Sequence, residues 1–392
     1  MKRYFLYFLI MGGMLMGSCR KTEYAAIDSP AYLRVFNNLE YSPSLDTKDV
    51  PQPFLTMLID PVLDADGTPV SAAITGDFLD HRDPWARPYP DAASNVIWQK
   101  EYPGTKRVLA GPILNGYDLA SWAQVPSGKH RVIFRTRPLS NTPYFELSKG
   151  EKGVTLVDTT LELSPKEVYT MHVLTEDYVK NNPIMYLRRE TFPNQPFVDS
   201  MVYVNFYNLS SDGFFEKAPN EIVNQQLAST KLRDTMYVYG TLSRKKNGLV
   251  TPINGFNGIP MGRVIRSLDG VVTPYQRFPL FPDTSSNKIF TGNMSQAFGF
   301  YRAGFNPQNL IYPLDLPAGV YSALTMGDYD ENSTTGLYPY KIKGDLRTGM
   351  IISIHSGNDN PRSFSSVNTV EYINRKFYVT TIQRTFEPPV YK

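Results

Sequence analysis

The sequence predicts an all-β protein built from two tandem β-sandwich domains with long insertions. Tyrosine and phenylalanine are abundant (26 and 22 residues) beside 31 prolines and 27 glycines, a composition typical of strands joined by many turns. Short apolar or alternating runs recur along the chain between turn residues, whereas amphipathic helical stretches are scarce. A set of short motifs also occurs twice in the same order, once in each half of the chain.

The first 18 residues have the pattern of a signal peptide. A positive start is followed by an uncharged run over residues 4–16, which is too short to span a bilayer as a mature helix. Gly17 and Ser18 then precede Cys19, the only cysteine, and a lipoprotein signal peptidase requires small residues at these positions. We therefore expect lipidation of Cys19, with an ordinary secretory signal and a chance cysteine as the alternative.

The residues after Cys19 bear on the location of the mature protein. Lys21 and Glu23 partly match the pattern that directs some bacterial lipoproteins to the cell surface. We therefore expect a lipid-anchored outer-membrane protein that is exposed on the cell surface. Once Cys19 is lipidated no thiol remains, so disulfides, cysteine metal sites and cysteine nucleophiles are excluded.

The net charge argues against a polyanionic partner. Removal of residues 1–18 takes Lys2 and Arg3 from the 40 basic side chains, so 38 remain against 37 acidic side chains. A nucleic-acid-binding protein would show a basic stripe, and none is present in the sequence.

Five runs of apolar and β-branched residues are the clearest predicted strands. They cover residues 32–36, 130–134, 168–174, 350–354 and 376–382.

Each half of the chain shows a strand ending in Asn, then an apolar-Pro-small-Gly segment, then a closing strand. In the first half these are residues 32–37, 125–130 and 168–174, and in the second half they are residues 203–208, 316–321 and 376–382. Proline presets φ and glycine supplies positive φ, so Pro-x-Gly predicts a tight turn before a core strand.

The repeat sets the predicted domain boundaries. These are a signal peptide at 1–18, an anchor and tether at 19–27, a first sandwich at 28–176, a linker at 177–199 and a second sandwich at 200–392. The linker is predicted because this stretch is rich in Pro and Asn. The charged run Arg188-Arg189-Glu190 in its middle is expected to be solvated.

Both halves resemble a domain family of unknown function that is widespread in surface lipoproteins of Bacteroidota. The matching motifs are Arg-Val-Phe-Asn at 34–37, Val-Pro-Ser-Gly at 125–128, Tyr-Thr at 169–170, Asn-Phe-Tyr-Asn at 205–208 and Leu-Pro-Ala-Gly at 316–319. The resemblance implies an immunoglobulin-like β-sandwich and no known catalysis. Residues 46–115 and 214–310 exceed the compact unit of that family, and we expect extra strands or long loops there. Long loops on a rigid sandwich are where binding sites are common.

The motifs of the commoner hydrolases are missing. The sequence contains no His-Glu-x-x-His, no Gly-x-Ser-x-Gly and no phosphate-binding loop, so we expect a protein that is not an enzyme. Paired carboxylates of a glycoside hydrolase stay the alternative. Two acidic clusters lie near aromatic residues: Asp77, Asp80 and Asp83, and Asp328, Asp330 and Glu331.

An aromatic segment offers the best candidate for ligand binding. Residues 80–89 mix charged side chains with Trp85 and Tyr89, and Trp98 follows. Prolines exclude a helix here and indicate an ordered, exposed loop. We expect Trp85, Tyr89 and Trp98 to contact a sugar or a protein, unless Trp85 covers the rim of its own core.

A weak calcium motif is the only sign of a cofactor. Asp328, Asp330 and Asn332 offer oxygen atoms at alternate positions, as calcium loops do. The sixth position, however, is Ser333 rather than Gly, and the twelfth is Pro339 rather than Glu. A polar loop is therefore the alternative.

These observations favour a non-enzymatic surface lipoprotein. The leading expectation is an accessory or binding component of a TonB-dependent nutrient-uptake system, with a glycan or peptide ligand. Its partners would be the membrane, a TonB-dependent transporter and the lid lipoprotein of that transporter. A structural or adhesive surface protein and a hydrolase built from the two insertions are the alternatives.

Overall fold

The computed structural model describes the chain in segments. These are residues 25–40, 54–82, 101–103, 108–114, 117–192, 201–214, 234–246, 249–270, 273–279, 294–301, 322–329, 349–356, 366–374 and 376–383. The described residues form 21 strands and two short 3-10 helices, at Tyr144–Glu146 and Lys149–Glu151. The predicted all-β fold class is confirmed, and each of the five runs predicted as strands lies within a strand.

The first half contains eleven strands. They are β1 Ala31–Asn37, β2 Leu55–Leu63, β3 Pro69–Leu79, β4 Glu101–Tyr102, β5 Ile113–Leu114, β6 Tyr117–Asp118, β7 Ala123–Val125, β8 Gly128–Thr136, β9 Thr155–Leu163, β10 Val168–Asp177 and β11 Asn182–Arg189.

Ten strands are described in the second half. They are β12 Met201–Asn208, β13 Thr235–Lys246, β14 Leu249–Pro252, β15 Ile259–Ile265, β16 Gln276–Pro279, β17 Met294–Tyr301, β18 Ser322–Tyr329, β19 Gly349–Ser356, β20 Ser366–Ile373 and β21 Lys376–Gln383.

In the first half, two sheets enclose a hydrophobic core. The first outer sheet has the order β3-β2-β8-β9, and the first inner sheet has the order β11-β10-β1-β4, with β7 also paired to β1. Leu33 and Met171 of the inner sheet meet Met57 and Phe134 of the outer sheet in one cluster, and these four residues are 0% exposed. Alternate residues of each strand supply this core, which is β-sandwich packing.

The second half is built in the same way. The second inner sheet has the order β16-β12-β20-β21, and the second outer sheet has the order β14-β13-β17-β19-β18, with β15 also paired to β13. Val204 and Phe377 of the inner sheet pack on Phe298 and Phe300 of the outer sheet.

The two inner sheets repeat one pattern of strand pairing, while residues 316–321, the second-half counterpart of the Pro-x-Gly segment, lie outside the described residues. β1 pairs in parallel with β10, which pairs antiparallel with β11; β12 pairs in parallel with β20, which pairs antiparallel with β21. The counterpart of β10 is therefore β20. Our match of residues 168–174 with residues 376–382 was wrong, because β20 and β21 are similar neighbouring strands and only their pairing distinguishes them.

The asparagine that ends the first strand of each repeat has the same structural role twice. Asn37 Nδ2 donates to the carbonyl of Leu79 at 3.2 Å, and Asn208 Nδ2 donates to the carbonyl of Asp234 at 3.1 Å. The Oδ1 atom of each accepts the backbone N–H two positions further on, at 3.2 Å in both cases. Each asparagine therefore fastens the end of its strand to the neighbouring chain.

The two inner sheets pack face to face, so four sheets form one stack. All seven residues of β1 and the first eight of β10 are buried, because both faces of these strands are covered. Leu174 and Tyr186 of the first half form one apolar cluster with Tyr207, Ile373 and Tyr378 of the second. A further cluster that also mixes the two halves contains Tyr32, Trp122, Val168, Tyr203 and Val367.

Part of the predicted linker belongs to the first inner sheet. β11 lies within residues 177–199 and extends the first inner sheet, so this part of the range belongs to the sheet. The expectation that Arg188-Arg189-Glu190 is solvated was wrong at two positions, since Arg188 is 0% exposed and Glu190 is 3% exposed. Strand alternation explains this result: Arg189 points to solvent, whereas Arg188 faces the second half.

Candidate functional site

A cluster of ionisable side chains lies between the two inner sheets, around Glu371. This residue sits on β20 and its side chain is 0% exposed. Arg82 Nη1 donates to its Oε2 at 2.7 Å and Arg188 Nη2 donates to its Oε1 at 2.8 Å. His172 Nε2 lies 3.3 Å from the same Oε1. Three groups of the first half thus converge on one carboxylate of the second half.

His172 connects this carboxylate to the first half. The residue lies on β10, is 0% exposed, and places Nδ1 2.7 Å from Asn38 Oδ1. Its ring is flanked by Phe36 at 5.5 Å and Tyr186 at 6.0 Å between ring centroids. Burial lowers the pKa of His172, and Arg188 and Arg82 lower it further, against the opposing attraction of Glu371.

The two arginines are also held by aromatic faces. The guanidinium of Arg82 lies 3.6 Å from the ring centroid of Phe36 and 4.2 Å from that of Tyr378. The guanidinium of Arg188 lies 4.2 Å from the ring centroid of Tyr207. Cation–π contacts gain strength when they are shielded from water, as these are.

The charges of the cluster balance. Arg188 also pairs with Glu190 at 2.9 Å, so two buried arginines face two buried glutamates. Burial raises the pKa of Glu371, but His172, Arg82 and Arg188 outweigh burial and hold it well below the usual range. Every ionised group in the cluster has a partner of opposite charge, and the carboxylate at its centre is enclosed. This arrangement suits a clamp between two sheets better than a site for a substrate.

A small cleft opens at the rim of the same interface. It has a volume of about 170 Å³ and lies between β12, β15 and the loop before β16, with Tyr186 of the first half in its wall. Tyr207 OH accepts the backbone N–H of Thr273 there at 3.2 Å. The cleft is smaller than the roughly 300–1,000 Å³ of a typical ligand pocket.

A strained residue supports the Pro-x-Gly turn of the first half. Asp60 adopts φ 50°, and its Oδ2 lies 2.7 Å from His130 Nδ1. His130 Nε2 lies 3.0 Å from the carbonyl of Pro126, and Gly128 has φ 122°. The predicted glycine conformation is confirmed, and the Asp60–His130 pair fastens the turn.

The predicted site residues are only partly described. Cys19, Trp85, Tyr89, Trp98, Asp83, Asp330, Glu331 and Asn332 lie outside the described residues. Asp328 lies near the end of β18. The predicted lipidation, ligand and calcium sites therefore stay predictions.

Two carboxylates of the first acidic cluster have structural partners. Asp77 Oδ1 accepts Arg137 Nη1 at 3.0 Å and the backbone N–H of Tyr144 at 2.7 Å. Asp80 Oδ1 accepts the backbone N–H of His81 at 2.8 Å. Both carboxylates thus fasten local structure.

The described residues contain neither a metal-binding group nor a membrane-spanning helix. No group of three or more His, Cys, Asp or Glu side chains in these segments is placed to hold a metal ion. No helix within them is long and apolar enough to cross a membrane.

Sequence reasoning missed the cluster around Glu371. One signal was present: residues 168–174 carry His172 in an otherwise uncharged run without polar alternation, which is typical of a strand buried on both faces. A histidine in such a strand must face another protein layer. Its partner, some 200 positions away, had no comparable signal.

Comparisons with known proteins assign no family. No protein-family model matches the sequence, and no curated protein sequence matches it. One solved structure, a proposed cell adhesion protein from Bacteroides uniformis, aligns with 92% of this chain and 99% of its own at 10% identity. The TM-score is 0.15, so this neighbour indicates neither the fold nor the function of the chain.

Proposed function

We propose that the protein is an exported, lipid-anchored and non-catalytic scaffold that presents a binding surface outside the cell. The observation that carries the proposal is the buried contact between the two inner sheets, which joins two sandwiches into one stack. A hinged pair of domains would leave these faces solvated. Burial of these two faces against each other fixes the two sandwiches relative to one another. A scaffold that must hold a binding surface in a fixed position needs such a rigid contact.

The chemistry of the buried cluster supports the non-catalytic part of the proposal. A catalytic acid or base must reach its substrate, but Glu371 and His172 are both 0% exposed. Asp77 and His130 are likewise engaged with Arg137 and Asp60. These four acid–base groups of the described segments hold strands and turns in place.

The finer role is an accessory component of a TonB-dependent uptake system that binds a glycan or a peptide. Support for this role comes from the predicted anchor at Cys19 and the aromatic segment that contains Trp85 and Tyr89. In this role the transporter and its lid lipoprotein are the partners.

An adhesive role is the second candidate, and one structural observation favours it. β1 runs parallel to β10 over six residue pairs, from Tyr32 opposite Val168 to Asn37 opposite Val173. β12 runs parallel to β20 in the same manner. A force that pulls such strands apart along their length loads all the hydrogen bonds of the ladder together, which suits a protein that carries tension.

The test is purification of the tagged full chain from outer membranes in mild detergent, with mass spectrometry of the proteins that accompany it. Stoichiometric recovery with a TonB-dependent transporter supports the uptake role. Recovery alone, together with weaker cell attachment after deletion of the protein, supports the adhesive role. The matched control is Cys19→Ser, which should lose radiolabelled palmitate and leave the membrane fraction.

Two outcomes contradict the proposal. If the Cys19→Ser variant stays in the membrane fraction, the prediction of a lipid anchor on Cys19 is contradicted. Release of products from a polysaccharide or peptide by the purified protein would make it an enzyme.

A further inference from the structure

The loop between β14 and β15 contains two Asn-Gly pairs, at residues 254–255 and 257–258. In such a pair the backbone nitrogen of the glycine can attack the side-chain amide of the asparagine, because glycine has no side chain to hinder the approach. Asn115 and Asn247 also precede glycines, but these pairs lie outside the described residues. The hydrogen bonds around each pair of the loop decide whether it can react.

The first pair lies at the tip of a tight turn. The N–H of Phe256 donates to the carbonyl of Ile253 at 2.9 Å, so Asn254 and Gly255 are the central residues of a β-turn. Gly255 has φ 80°, which the third position of a type II turn requires. Both central residues are exposed, and neither the Asn254 side chain nor the Gly255 N–H has a hydrogen-bond partner in the described part of the chain. Both reacting groups are therefore accessible.

The second pair is held by one hydroxyl group. The N–H of Gly258 donates to Thr241 Oγ1 at 2.8 Å, and the same hydroxyl donates to Asn257 Oδ1 at 3.3 Å. Thr241 lies on β13 and is 1% exposed. Attack by the Gly258 nitrogen would break both hydrogen bonds and leave a buried hydroxyl without these partners, which is unfavourable. The two asparagines thus have the same neighbour in the sequence but different hydrogen bonding.

The reaction at the first pair needs only water. The Gly255 nitrogen bonds to Asn254 Cγ and gives up its proton to solvent. The bond between Cγ and Nδ2 breaks, and Nδ2 takes a proton from solvent and leaves as ammonia. Water then opens the five-membered imide ring. Opening on one side gives aspartate, and opening on the other gives isoaspartate, in which the main chain runs through Cγ.

We propose that Asn254 is a site of spontaneous deamidation and that Thr241 protects Asn257 from the same reaction. Ile253 and Phe256, on either side of the turn, pack against the core of the second sandwich. An isoaspartate between them lengthens the main chain by one atom and disturbs this contact. The reaction requires no partner, so the inference can fail while the proposed function holds.

The test follows the purified full chain during incubation at mildly alkaline pH. Trypsin then releases residues 247–263, which contain both pairs, and fragment-ion mass spectrometry measures the gain of one mass unit at each asparagine. A synthetic peptide of the same sequence gives the rates without the fold. We expect Asn254 to react at close to its rate in the peptide and Asn257 to react at least about tenfold more slowly than Asn254, because two hydrogen bonds must open first.

A change at Thr241 tests the protection directly. Thr241→Val removes the hydroxyl and should raise the rate at Asn257 about tenfold, while the rate at Asn254 stays unchanged. The control Thr235→Val, six positions earlier on β13, should change neither rate.

Three results overturn the proposal. They are equal rates at the two asparagines of the wild-type chain, a rate at Asn254 far below that in the peptide, and a folded Thr241→Val chain in which Asn257 still reacts slowly. If Thr241→Val does not fold, the comparison of the two asparagines within the wild-type chain still decides the matter.

Discussion

His172 and Glu371 occupy equivalent positions in the two repeats and contact each other across the interface. His172 lies opposite Phe36 in the pairing of β1 with β10, and Glu371 lies opposite Tyr207 in the pairing of β12 with β20. Their side chains are 3.3 Å apart. A contact between equivalent residues is what an approximate two-fold axis between the inner sheets would produce.

The aromatic residues around this pair follow the same relationship. Tyr186 lies opposite His172 and Tyr378 lies opposite Glu371, so these tyrosines are also equivalent. The arginines break the symmetry, since Arg82 follows β3 and Arg188 belongs to β11. Both arginines nevertheless reach Glu371. The second half thus supplies the central acid, and the first half supplies both cations.

Replacement of Glu371 by Gln should destabilise the protein strongly. The amide would leave Arg82 and Arg188 buried beside a neutral group, and loss of one partner of a buried ion pair costs about 3–5 kcal/mol. The measurement is the free energy of unfolding from denaturant titration. The control is Asp158→Asn, whose partner Arg131 is 46% exposed at the side chain, and we expect a loss below about 1 kcal/mol there. Equal losses of unfolding free energy in the two variants would contradict the role of Glu371 in holding the two inner sheets together.

The same carboxylate should set the response to acid. The pKa of Glu371 lies well below 4.5 in the folded protein, so its contribution is complete above pH 4.5 and is lost as the pH falls through the lowered value. We expect unfolding free energy to decline with pH below 4.5 in the wild type and to decline less steeply in Glu371→Gln. Asp66→Asn should change the slope much less, because Lys149 lowers the pKa of that carboxylate only through an exposed ion pair, which solvent screens. Identical slopes for the wild type and Glu371→Gln would refute the assignment.

Asn37 and Asn208 should make similar contributions to stability. Replacement by Ala leaves one buried carbonyl and one backbone N–H without the side-chain partner, and each variant should lose about 1–3 kcal/mol. Asn141, which lies in an exposed loop, provides the control, with an expected change within about 0.5 kcal/mol for Asn141→Ala. A large loss at one asparagine and none at the other would show that the two repeats are not energetically equivalent.

Gly153 should tolerate no side chain. It has φ 51°, and an added Cβ would collide with the hydroxyl and the backbone carbonyl of Thr136. Gly153→Ala should cost about 3 kcal/mol, since backbone strain and overpacking each cost about 1–3 kcal/mol. Gly150→Ala, three positions earlier, meets open space and should leave the thermal midpoint nearly unchanged. If both variants melt together, the loop before β9 is not packed against Thr136.

Several parts of the fold were predictable because their signals are local. Residues 168–174 read as a strand from composition alone, and the Asp-Gly pair at 66–67 is typical of the turn that the structure has between β2 and β3, where Gly67 has φ 76°. The side chain of each asparagine bonds to the backbone two positions later. This local contact accounts for the Asn at the end of both strands, so the repeat could be recognised in the sequence. Such features depend on a few neighbouring residues.

The candidate cluster was not predictable for the opposite reason. Arg188 in an alternating strand has the same pattern whether it faces water or a second sheet. Glu371 lies between apolar and aromatic residues of β20, and nothing within a few positions shows that it meets two arginines. Burial of these charges depends on residues that are 183 and 289 positions from Glu371 in the chain.

The sequence by itself determined the strands, the turns and the existence of a repeat, because backbone propensity and strand periodicity act over a few residues. The tertiary structure alone decided that β10 corresponds to β20, that β11 joins a sheet and that the inner faces are buried against each other. Those outcomes depend on strand pairing and on the contact of surfaces from distant parts of the chain. The desolvated ion pairs between the inner sheets exist only once that contact has formed.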